Sequence, residues 1–372
     1  MSNMIQPVPP GDEEIDDLDE VSEVLPSAFS ITSYGADYPV DGLVKRVQAG
    51  DIVIPSYNLA PEEGQTTVGF QRDFVWKKGQ ADRFVESLLL GLPVPSIFLV
   101  KEPNGKFLVL DGQQRLRTLE NFYSGVFQKS EFRLDQVQPL WVGKTYKTLH
   151  ADDRRRLDNS ILHAIIVRQD QPTEDQSSIY LIFERLNSGG TILQPQEIRV
   201  ALYHGPFATL LGQLNDTKEW RGLYGTRSSR LKDIELILRF LALYFHLGSY
   251  ERPMKAFLNT YMASNRDLSK QPETVVRPLF EQTVSAIING IGPKAFRPFG
   301  SAVNAAVLES IMHGVASRLS KGPITQFAEL KIQYNALIEQ EGYQHAVLRA
   351  TADEESVMAR LRAARIAFEV VK

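Results

Sequence analysis

The chain has 372 residues, 43% of them apolar, which is enough for a packed core and, by the usual length prior, two or three domains. It has no cysteine, which excludes disulfides, thiolate metal sites and cysteine nucleophiles. The formal net charge of -4 hides an asymmetry: the first 44 residues hold ten Asp or Glu and no Lys or Arg, leaving a body of 41 basic and 35 acidic residues at about +6. That excess is compatible with a nucleic-acid partner without demanding one.

In chain order, residues 1 to 27, with GDEEIDDLDEVSEV at their centre, read as a disordered acidic tail: a solvated end, or a cover that mimics DNA over a basic groove. Met1 to Pro10 lack the basic start and apolar run of a signal peptide. The longest charge-free stretch, Val200 to Asn215, is broken by Gly205-Pro206 and too polar to span a bilayer, so a soluble cytoplasmic protein without membrane contact is expected. A short helix fits Asp41 to Ala49, a strand Ile52 to Ile54, and a helix Lys78 to Leu90 that stops at Gly91-Leu92-Pro93. Ser96 to Val100 and Lys106 to Leu110 pattern as strands joined through the turn pair Asn104-Gly105. Asp111-Gly112 closes the second strand, and Gln113 to Tyr123 continues as a helix with Leu116, Leu119 and Phe122 on one face, so a hairpin feeds directly into a helix N-terminus.

Short strands are expected between Val126 and Leu149, a helix over Asp152 to Asn159, and a strand over Ile161 to Val167. After residue 174 the pattern turns helical. Glu174 to Leu186 is amphipathic and ends at Asn187-Ser188-Gly189-Gly190, and Gln194-Pro195-Gln196-Glu197 opens the next helix. Arg230 to Leu247 is apolar almost all round and is expected to be buried at the centre of a helical region that runs to Lys372. The fold class is therefore α+β in the front half and all-α behind, divided as a tail (1–27), a front domain (28–210) and a helical domain (211–372).

Asp111-Gly112-Gln113-Gln114-Arg115 is the stretch where chemistry concentrates. A strand-to-helix turn aims free backbone N–H groups and the positive end of the helix dipole at one point. Gly112 lets a ligand approach the backbone, Arg115 can grip phosphate oxygens with two prongs, and Gln113 and Gln114 add neutral donors or position a water. Asp111 can hold a divalent metal or cap the helix. The other reading is an Asp-Gly turn followed by a solvated helix start. Trp76 reads as a base-stacking platform or as core. Asn187 and Gly189 read as a ligand loop or as a glycine helix end.

Three further patterns carry less. Gly143-Lys144-Thr145 has Gln138 where a phosphate loop needs its first glycine. Arg154-Arg155-Arg156 is surrounded by Asp152, Asp153 and Asp158. The six histidines are scattered without a close pair, and Glu329-Leu330-Lys331 lies in a helical pattern without an acidic strand, so neither a zinc site nor a nuclease centre is supported.

The ordered motifs resemble a known family. They are Phe70-Gln71-Arg72 with Trp76, Glu86-Ser87 before Gly91-Leu92-Pro93-Val94-Pro95, Val109 to Leu116, Phe183 to Gly190, and Glu197-Ile198-Arg199. Together they resemble the N-terminal domain of GmrSD-type modification-dependent restriction endonucleases, and Arg230 to Met262, with Glu235, Arg239, Met254 and Asn259, is similar to the helical region that follows in many members. The resemblance implies a ParB/sulfiredoxin-like fold and nucleotide hydrolysis that licenses DNA cleavage. It places Asp111 near Mg2+ or the attacking water, and Gln113, Gln114 and Arg115 on the phosphates of a nucleoside triphosphate. Arg72, with Gln71 beside it, becomes a second phosphate or transition-state cation, and Gly112, Asn187 and Gly189 belong to the same nucleotide site. The paired histidines of an HNH nuclease are missing, so the nuclease is expected in a partner subunit or in this pocket itself, with a homo-oligomer as the other assembly. Three functions stay open: an NTPase of an anti-phage restriction system, a metal-dependent DNA-nicking enzyme, and a nucleotide-gated DNA-binding adaptor without turnover.

Overall fold

The computed structural model describes residues 30–55, 76–171, 177–186 and 193–372. The chain divides into two compact units, Ser27–Leu193 with Val200–Leu202, and Gln194–Arg199 with Tyr203–Lys372. The first is mixed α and β. The second is helical.

Among its described residues the first unit opens with β1 (Ser30–Pro39), α1 (Val40–Gln48) and β2 (Ile52–Val53), followed by α2 (Lys78–Leu90). A hairpin of β3 (Ile97–Lys101) and β4 (Phe107–Asp111) then runs into α3 (Gln113–Ser124). A small ribbon of β5 (Val126–Phe127) and β6 (Ser130–Glu131), α4 (Ala151–Asn159), the long strand β7 (Ile161–Gln171) and α5 (Ser177–Leu186) complete it. The five main strands form one mixed sheet in the order β1-β7-β3-β4-β2. β1 and β3 flank β7, antiparallel and parallel to it, while β4 runs antiparallel to β3 and parallel to β2.

Local chemistry accounts for most boundaries. The Asn104-Gly105 turn works because Gly105 adopts φ 84°, and Gly91 ends α2 in the left-handed conformation at φ 72°. Two apolar clusters hold the unit. One joins Leu43, Ile52, Ile97, Leu99, Val109 and Ile166 over a sheet face, and the other packs α1, α2, α3 and α4 around Val85, Leu89, Leu119, Phe122 and Leu157. β1 went unrecognised in the sequence. It is an edge strand with mostly exposed side chains, held by ten-residue pairing to β7, so it carries no apolar alternation to see.

In the helical unit, α6 (Pro195–Leu202) contributes its first five residues, and α7 (Pro206–Asn215) and α8 (Lys218–Tyr224) follow. α9 (Lys232–His246) is buried continuously from Asp233 to Leu243, as its all-round apolar sequence requires. Around it stand α10 (Met254–Ser264), α11 (Glu273–Gly290), α12 (Ala305–Leu319), α13 (Phe327–Glu339), α14 (Glu341–Leu348) and α15 (Glu354–Glu369). Trp220 is fully buried against Tyr224, Phe280 and Phe296. Among the described residues, no helix is long and apolar enough to cross a membrane.

Candidate functional site at the Asp111–Arg115 turn

β4 ends at Asp111, and Gly112 turns the chain into α3 with φ 97° and ψ 10°. Two constraints fix this residue as glycine. The backbone is left-handed, and a Cβ would lie 2.4 Å from Ile97 Cγ2. The first hydrogen bond of the helix runs from Leu116 N–H to Gly112 O at 3.0 Å, so the first-turn amides point out of the helix end, and Gly112 has no side chain with which to cap them.

Asp111 is not the cap that its type suggested. With Gly112 as N-cap, Asp111 stands one residue too early, and its Oδ2 instead accepts from Arg115 Nη2 at 2.8 Å. The same Nη2 donates to Ser96 O at 3.0 Å. Arg115 Nε is buried and, among the described residues, has no hydrogen-bond partner. The Asp111 side chain is 45% exposed and that of Arg115 13%, so the carboxylate faces water while the guanidinium is held from behind by the sheet.

Gln114 ties the turn to a second segment. Its Oε1 accepts from Trp76 N–H at 3.3 Å, and its backbone carbonyl accepts from Thr118 Oγ1 at 2.7 Å. Because β2 is parallel to β4, the chain leaves β2 at the same sheet edge where Asp111 ends β4, and it returns at Trp76 beside Gln114. Gln71 and Arg72 fall between these points, outside the described residues, as do Asn187 and Gly189. Trp76 resolves toward its packing role: it meets Phe84 edge-on at 5.6 Å and joins the helix-side core. Asp111, Gly112, Gln113, Gln114 and Arg115 are thus brought together on one turn.

The weaker patterns take structural roles. Thr145 accepts from Thr148 N–H at the start of a single 3-10 turn, and Lys144 N–H donates to Trp141 O. Arg154 donates to Lys147 O and Leu149 O, Arg155 pairs with Asp152, and Arg156 donates to Leu89 O. Among the described residues, no group of three or more His, Asp or Glu could hold a metal ion.

The motif residues of the helical half also meet, in a different setting. Arg199 donates to Asn259 Oδ1 at 2.8 Å and to Glu235 Oε2 at 3.0 Å. Glu235 pairs with Arg239, Arg239 Nη1 reaches Glu309 at 3.1 Å, and Glu309 also pairs with Arg360. This ladder is buried throughout, no side chain of it being more than 10% exposed. Glu309 and Arg360 carried no signal in the sequence, since their partners lie 70 and 51 residues away.

Residues 43–204 match the family model of the GmrSD restriction endonuclease, N-terminal domain, which spans α1 to α6 and contains the turn. No curated protein matches the chain.

Proposed function

From a front region of the GmrSD N-terminal kind, we propose that this chain is the nucleotide-binding, NTP-hydrolysing component of a prokaryotic anti-phage restriction system. In this reading the front unit has the ParB/sulfiredoxin-like fold, and hydrolysis regulates DNA cleavage by this chain or by a partner nuclease subunit. The observation that carries the proposal is the α3 N-terminus, where Gly112 in the left-handed conformation has no side chain to cap the helix and the Arg115 guanidinium is anchored by Ser96 O and Asp111. First-turn amides, a helix dipole and a fixed cation converge where phosphate oxygens would sit. Phosphoryl transfer asks for this kind of positioning and charge neutralisation more than for covalent chemistry.

Asp111 suits Mg2+ as a single half-exposed carboxylate beside that anion site, since Mg2+ in phosphate sites keeps water and phosphate oxygens and takes one or two carboxylates. Bound there, the ion would neutralise the phosphates. Arg115 stays oriented by Ser96 O as Asp111 exchanges its partner, and Gln114, anchored by the Trp76 amide, holds the near side of the pocket. Gln113 adds a donor at the helix mouth. By the family resemblance, Arg72 and Gln71 are assigned as a second cation and donor, and Asn187 and Gly189 to the same nucleotide site, all outside the described residues.

Phosphate release from ATP, GTP, CTP and UTP with Mg2+, with and without DNA, tests the proposal. Turnover of at least one nucleotide that falls at least about 100-fold in Arg115→Ala supports it. Saturable binding without turnover makes the chain a nucleotide-gated DNA-binding adaptor instead. Neither binding nor turnover, with Mg2+-dependent plasmid nicking lost in Asp111→Ala, makes the pocket a nuclease.

A further inference from the structure

Three segments of the helical unit meet at one guanidinium. Arg297, in the turn that follows α11, donates through Nη1 to Leu223 O at 2.6 Å and through Nη2 to Tyr224 O, which ties that turn to the end of α8. Its Nε donates to Ser301 O at 2.8 Å and closes residues 297–301, within which Phe299 is 41% exposed. Lys294, whose carbonyl accepts from Arg297 N–H, is exposed at the start of the same turn. Along α8, Lys218, Arg221 and Tyr224 stand three residues apart on one face, with the Arg221 guanidinium 5.3 Å over the Tyr224 ring. Burial first, and Arg227 as a neighbouring like charge, push Arg221 down from its ordinary value, which brings the loop between α8 and α9 to the same place.

Cations from separate stretches of the chain are thus gathered on one surface. Two of its carboxylates already have partners: Asp216 pairs with Arg227, and Asp233 is buried against Arg221 at 3.1 Å. Glu219 is about 100° round the helix from Lys218. Lys218 and Lys294 are exposed and make no ion pair among the described residues. Like charges gathered this way repel one another until a polyanion neutralises them, and an exposed aromatic ring beside them suits a nucleic-acid base or sugar. α8 is about 10 Å long, so its cations lie within reach of consecutive phosphates, which follow one another every ~3.4 Å of axis on each strand. We propose that this surface, with Lys218, Arg221 and Arg227 on one side and Lys294 and Phe299 on the other, binds a DNA strand through its phosphates and stacks a base or sugar on Phe299. The inference rests on the restriction reading, which makes DNA the polyanion at hand, and not on nucleotide turnover at the Asp111–Arg115 turn. It puts a DNA contact in the helical unit, outside the residues that match the family model.

Anisotropy of a fluorescein-labelled oligonucleotide, as single strand and as duplex, reads this binding by the full-length chain between about 50 and 200 mM salt. Lys218→Glu with Lys294→Glu breaks no ion pair, so the double variant should melt within a few degrees of wild type. It should weaken both DNA forms at least ten-fold at the lower salt and flatten the salt dependence by about two counterions. Lys270→Glu with Lys331→Glu, at exposed lysines elsewhere in the same unit, changes the net charge equally and should cost less than two-fold. Phe299→Ala should weaken the single strand about five-fold or more. Equal losses for the surface and the reference pair, or a Phe299→Ala variant that binds the single strand as wild type does, would overturn the inference and leave the restriction reading standing. Wild type that binds no DNA would overturn both. Polyglutamate that displaces the strand at equal charge would also overturn the inference, by making an acidic protein the occupant.

Discussion

The Asp111–Arg115 turn and the Arg199–Glu235–Arg239–Glu309–Arg360 ladder are built from the same groups, guanidinium and carboxylate, in opposite surroundings. In the ladder Glu235 and Glu309 each serve two guanidiniums, and water is excluded. In the turn Asp111 is half exposed, and Gly112 has no side chain to cap the helix behind it. Buried pairs cannot change partners without leaving a charge in low dielectric, whereas a half-exposed pair can exchange one anion for another at small cost. The ladder therefore fixes a packing arrangement, whereas the Asp111 carboxylate of the turn can exchange its partner, as the proposed ligand site requires.

The largest effect that separates them is expected from Glu309→Ala, which strands Arg239 and Arg360 in the core and should cost about 3–5 kcal/mol in denaturant unfolding. A loss under 1 kcal/mol would mean that water reaches the ladder. Close by, His313 is pushed down to about 4, first by burial and then by Arg365. It stays neutral in the fold, while the unfolded chain binds its proton near 6.5. The stability it contributes is complete above pH 6.5 and is lost as pH falls toward 4, by up to about 3 kcal/mol. Unfolding midpoints across that window should flatten in His313→Leu, and an unchanged slope would contradict the assignment.

Effects at the turn are smaller for stability and larger for binding. Gly112→Ala forces a Cβ against Ile97 at φ 97° and should cost about 1–3 kcal/mol while abolishing nucleotide affinity. Asp111→Asn breaks only a half-exposed ion pair and should move stability by less than about 1 kcal/mol, yet reduce Mg2+-dependent turnover at least about 100-fold. Thermal unfolding and phosphate release on the same preparations check both.

These regions also differ in how far the sequence reveals them. The turn is local: Asn104-Gly105, the apolar strand 106–110, Asp111-Gly112 and the periodic Leu116, Leu119 and Phe122 lie within twenty residues, and each has a short-range physical cause. Only the fate of Asp111 escaped, because an i,i+4 arginine and a left-handed Gly112 outcompete capping. The ladder is non-local. Arg360 sits in a stretch, Arg360-Leu361-Arg362-Ala363-Ala364-Arg365, that reads as a solvated helix face, and burial by Glu309 fifty-one residues away has no local signature. β1 was hidden for the same reason, since its partner β7 begins more than a hundred residues later.

The most direct measurement is the affinity of Mg2+-nucleotides for wild type and Arg115→Ala, taken together with the Tm of both. A variant that melts within a few degrees of wild type but binds at least a hundred-fold more weakly is the expected result, because Arg115 would then be spent on the ligand and not on the fold. Undiminished affinity in a well-folded Arg115→Ala would contradict a phosphate site at the Asp111–Arg115 turn.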